Sequence, residues 1–109
     1  MNLSKSKNTL LFNISNENKF FNSIVELKKE IKLKNIIIDF NALSIEKFLE
    51  DLNFLFIESQ NNKKSFVIVK SDFKSEYYKI NINVVPSLQE AIDIIEIEEI
   101  ERDLGLLWN

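Results

Sequence analysis

From Thr9 onward, short apolar runs alternate with longer segments in which apolar residues recur every three or four positions. The first kind predicts strands and the second helices. "TLLFNI", Thr9 to Ile14, is the first run, and Ser15 or Asn16 stands ready to cap the helix after it. In that helix Phe20, Ile24, Leu27 and Ile31 share a face, which Phe21 and Val25 are expected to widen. "NIIIDF", Asn35 to Phe40, is β-branched and continuous, as a strand buried on both faces should be. Ser44 is then the expected N-cap of a second helix. Its stripe, Ile45, Phe48, Leu49, Leu52, Leu55 and Phe56, falls at offsets 0, 3, 4, 7, 10 and 11. This is the strongest helical period in the chain, and it should end near Gln60, before the polar turn "NNKK".

"SFVIV", Ser65 to Val69, reads as another buried strand, followed by the loop "KSDFKSE". Tyr78, Ile80, Ile82 and Val84 then alternate with Lys79, Asn81 and Asn83, the period of a strand with one dry and one wet face. Pro86 stops that strand, because proline cannot donate to a ladder. Ser87-Leu88-Gln89-Glu90 is a capping box that starts the last helix at about Leu88, and Gly105 suits its C-terminal cap.

The predicted order is β-α-β-α-β-β-α. Strands separated by helices imply an α/β domain: a mainly parallel four-stranded sheet covered by helices, over residues 9–104. Residues 1–8 are polar and expected to fray, and 105–109 form an apolar tail. The last helix is unusual. Leu88, Ala91, Ile92 and Ile95 share one face, while Ile97, Ile100 and Leu104 share another, roughly opposite. A helix that only covers its own core needs one stripe. Three accounts of the second are open: a bend near Glu96, a projecting face that pairs with another chain, or the tail "LGLLWN" folded back over it.

Composition narrows the chemistry. With 109 residues, 45% hydrophobic and 28% charged, the chain can bury a core in one domain. It has no cysteine and no histidine, so thiolate chemistry and the usual neutral-pH base are absent. A single glycine excludes a glycine-rich phosphate loop. No signal pattern or membrane-length apolar run is present, so a soluble cytoplasmic protein is expected, with no membrane partner. Net charge is −3 but uneven. Residues 1–34 carry seven Lys against three Glu, whereas residues 87–109 carry one Arg against seven acids. The lysines read as the wet face of a helix, and the chain is acidic, so nucleic acid is not the expected partner.

From Leu10 to about Ile95 the pattern resembles the STAS domain, the family of bacterial anti-sigma-factor antagonists and sulfate-transporter C-terminal domains. The residues that carry this are the hydrophobic strand and loop "NIIIDFNALS", with its Asp39, then "SFVIV", then "VVPSLQEAIDII". The resemblance implies a STAS-like fold and a non-catalytic regulatory module that binds proteins. Antagonist-type members present an Asp-Ser-Ser/Thr-Gly turn before the second helix, and its hydroxyl is phosphorylated by a partner kinase. Here that place reads "NALSIEK", leaving Ser44 as the only hydroxyl, either a phosphorylation site or a plain helix cap. The segment between Val69 and Tyr78 is also short for the family's extra helix. The tail is similar to that of short bacterial STAS-like chains sometimes labelled ribonuclease Z. That activity uses zinc held mostly by histidines, which this chain lacks.

Candidate sites follow. The carboxylates Glu96, Glu98, Glu99, Glu101 and Asp103 would fan out on a straight helix and read as a solvated face, not a metal site. No metal and no cofactor is expected. Phe73 and Tyr77 are candidates for a partner surface, while Tyr78 is in phase with the core. The principal expectation is a protein partner, or a second copy, bound through Ile97, Ile100, Leu104, Leu106, Leu107 and Trp108. The alternative is a ligand-binding or enzymatic domain using Asp39, at the C-terminal edge of the sheet where ligands of open α/β folds sit.

Overall fold

The computed structural model describes residues 8–41, 43–72 and 82–105. Four strands, β1 (Thr9–Asn13), β2 (Asn35–Asp39), β3 (Phe66–Val69) and β4 (Asn83–Val85), pair in that order, every pair parallel. The helices are α1 (Glu17–Glu30), α2 (Leu49–Asn61) and α3 (Leu88–Asp103). The predicted α/β class and element order are those observed.

The order follows from handedness. β1 to β2 and β2 to β3 each step one strand in the same direction. Right-handed crossovers that step the same way deposit their helices on the same side. So α1 and α2 share one face, where Phe12, Ile36, Ile38, Phe66 and Ile68 meet Phe20, Leu27, Ile31, Leu52 and Leu55. Successive strand residues point to opposite faces. Leu11, Ile37, Val67, Val69 and Val85 therefore face the other way, onto Ala91 and Ile95 of α3. Phe20 anchors the first core, with the Phe40 and Phe48 rings 5.8 and 4.8 Å from its own.

The caps are local and legible. The Asn16 side chain accepts from the Lys19 amide at 2.8 Å and opens α1. The Ser87 oxygen accepts from the Glu90 amide at 3.2 Å and opens α3. Glu90 answers with its carboxylate on the Ser87 hydroxyl, at 3.2 Å, rather than on a backbone amide. Gly105, at φ +75°, closes α3 in the left-handed conformation glycine tolerates.

Two expectations are corrected. Phe21 and Val25 do not widen the core face of α1, being 52% and 63% exposed. Phe21 lies about 100° and Val25 about 140° around the helix from the stripe Phe20, Leu27, Ile31, which turns both toward solvent. Ser44 holds the N-cap position, with extended backbone, of a 3-10 turn, Ile45–Phe48, that leads into α2, but its side chain makes no cap bond. The expected strand at Tyr78 is described only from Asn83, where Val84 packs with the first core and Val85 with the second.

Candidate functional site

α3 is a single unbroken helix of 16 residues, and Ile97 and Ile100 of its second stripe are exposed. Its inner row begins with Leu88, Ala91, Ile92 and Ile95, packed on the second core. At the same spacing the row continues through Glu98, Glu99 and Arg102. The inward face thus turns from apolar to polar halfway along. The change matches what lies beneath, since the first half covers strand side chains and the second half reaches the N-terminal ends of the strands.

There the side chains pair. Asn35, fully buried at the start of β2, donates its side-chain amide to Glu99 Oε2 at 2.7 Å. Its side-chain oxygen accepts from the Ser65 amide at 2.8 Å. The Ser65 hydroxyl donates to Glu98 Oε1, and the Asn83 amide donates to Glu98 Oε2 at 3.1 Å. Arg102 lies one turn on, its guanidinium 4.0 Å from Glu98. A small cavity of about 190 Å³ opens beside this cluster, between Phe56, Gln60, Lys64 and Glu98. Glu98 and Glu99 are therefore not part of a solvated face. They anchor α3 to three strand starts, which replaces apolar burial with charge-assisted hydrogen bonds. The signal was available, because the i, i+3, i+4 row runs straight through them. Weighing only apolar positions hides it.

With its inner face anchored in this way, the second half of α3 turns apolar residues outward. Ile97, Ile100 and Leu104 are 55%, 58% and 67% exposed. Asp93, Glu96 and Asp103 around them are exposed too. Leu106, Leu107 and Trp108, expected to extend this surface, lie outside the described residues, as do Phe73, Tyr77 and Tyr78.

At the opposite sheet edge Asp39 is occupied locally. Its Oδ1 accepts from the Asn41 amide at 3.0 Å, an Asx turn, and its backbone carbonyl accepts from Ile14 at 3.1 Å. Asn41 in turn accepts from the Ser71 amide at 2.6 Å. Lys70, largely buried, pairs with Asp72 at 3.1 Å. These bonds tie the ends of β2 and β3 together. Ser44 is exposed beside this edge in sequence but makes no cap bond.

No protein-family model matches the chain, and no curated protein matches its sequence significantly. Among the described residues, no helix is long and apolar enough to cross a membrane.

Proposed function

We propose that the chain is a non-catalytic, STAS-like regulatory module of the cytoplasm that docks a protein partner, or itself, through the outer face of α3 and the tail beyond it. One observation carries this. Ile97, Ile100 and Leu104 form an exposed row that no described residue covers, on a helix whose inner face is already occupied by Glu98, Glu99 and Arg102. Exposed apolar side chains that are contiguous and rimmed by charge are the usual mark of an interaction surface. The alternative built on Asp39 has weaker support, since that carboxylate is occupied in its own turn.

The test compares the intact chain with an Ile97→Ser/Ile100→Ser variant, by affinity capture from native lysate and by sedimentation. Both residues are exposed, so the melting temperature should stay within a few degrees. Capture and self-association should fall together. A variant that captures the same proteins and self-associates as the parent does would refute the docking face. Asp39→Asn should change neither readout.

A further inference from the structure

The surface of α1 is the counterpart of the surface of α3. Phe21, Val25, Lys28 and Lys32 lie in one row at offsets 0, 4, 7 and 11, the last in the turn that continues the helix. Asp93, Ile97, Ile100 and Leu104 lie in one row at the same offsets. Each row spans roughly 16 Å at ~1.5 Å per residue. On α1, Phe21, Val25 and the adjoining Leu33 are 52%, 63% and 66% exposed, and an open groove of about 450 Å³ runs between Val25, Lys28, Lys29, Lys32 and Leu33. Lys28 is held over the Phe54 ring, 5.3 Å from its centre, so α2 borders the same surface. One surface is apolar with lysines, the other apolar with carboxylates.

We infer that α3 of one copy docks antiparallel on α1 of a second copy. This rests on the reading of the α3 outer face as a docking surface, and it names the partner. Antiparallel alignment of the two rows sets Leu104 against Phe21 and Ile100 against Val25. Lys28, its head over its own Phe54 ring, then borders Ile97, and Lys32 meets Asp93. Parallel alignment would instead set Phe21 against Asp93 and Lys32 against Leu104. Three of the four facing pairs match in kind in the antiparallel sense, against one, Val25 with Ile97, in the parallel sense. α1 and α3 lie on opposite faces of the sheet, so no copy can satisfy its own pair. The contact is heterologous, and each added copy leaves one α1 and one α3 surface free, so copies build a chain or close a ring. The charges are exposed and therefore screened by salt.

Sedimentation velocity of the full chain tests this, together with Val25→Asp on α1 and Ile100→Arg on α3. The parent should form species larger than a dimer as concentration rises, and lose them in high salt. Each variant alone should associate roughly tenfold or more weakly, with melting close to the parent. Mixed in equal amounts, the two variants should form a one-to-one complex and nothing larger, because each keeps the surface the other lacks. Self-association abolished by Ile100→Arg but untouched by Val25→Asp would mean α3 pairs with α3. That result overturns the head-to-tail contact and leaves the docking reading standing. A chain monomeric at all concentrations also overturns the contact, and the docking reading then stands or falls on the capture experiment alone.

Discussion

A buried amide joins the packing of Ala91 and Ile95 and the bonds of Glu98 in attaching α3. Asn35 is fully buried, and its side-chain nitrogen has Glu99 as acceptor at 2.7 Å. Glu99→Ala removes that acceptor and leaves a donor shielded from water. The expected loss is about 1–3 kcal/mol, the cost of an unsatisfied buried polar group. Glu96→Ala, three residues away on the exposed side, should stay within about 0.5 kcal/mol. Urea unfolding midpoints of the two variants check this, and equal shifts would mean that Glu99 is as solvated as its neighbour. Phe20 and Phe21 make the same point in apolar form. They are adjacent in sequence, yet one is fully buried and the other 52% exposed. Composition and propensity treat them alike, and only the rotation of α1 against the sheet separates them.

α3 inverts its polarity along its length. In its first half the inner residues Ala91 and Ile95 are buried, whereas in its second half Glu98 and Glu99 face the strand starts and the apolar residues point outward. Truncating the inner row should therefore weaken the fold, and truncating the outer row should not. Ile95→Ala is expected to cost about 2–5 kcal/mol, as for a buried aliphatic residue. Ile97→Ala, at a position 55% exposed, should cost no more than about 0.5 kcal/mol. Denaturant titration at a concentration below any self-association separates the two. A large loss at Ile97 would show that the outer face is covered within the molecule. The turn chemistry at both ends of α3, Ser87 with Glu90 and Gly105, was legible because caps act within a few residues and need no distant partner.

The described residues form one progressive parallel sheet with α1 and α2 on one face and α3 on the other. β2 and β3 are bonded on both sides, while β4 contributes three residues at an edge. Native-state hydrogen exchange should rank accordingly. The amides of Ile36–Ile38 and Val67–Ile68 should exchange slowest, close to global unfolding, and those of β4 faster. Uniform protection across the sheet would mean that β4 is covered by more than the described residues provide. Most of this architecture was readable in advance. Buried parallel strands are continuous apolar runs and amphipathic helices have their own period, so "NIIIDF", "SFVIV" and the α2 stripe each declare their element.

The sequence by itself determined the strand and helix succession, the cap at Ser87 and the second apolar row of α3, because each depends on neighbours within a turn or two, and from that succession a mainly parallel sheet followed. Tertiary structure alone decided which face each row meets. It exposed Phe21 and Val25 and drew Glu98 and Glu99 inward to Asn35, Ser65 and Asn83. The physical reason is distance along the chain. A carboxylate on a helix is solvated or anchored according to groups that lie 15 to 64 residues away, and no local period records them.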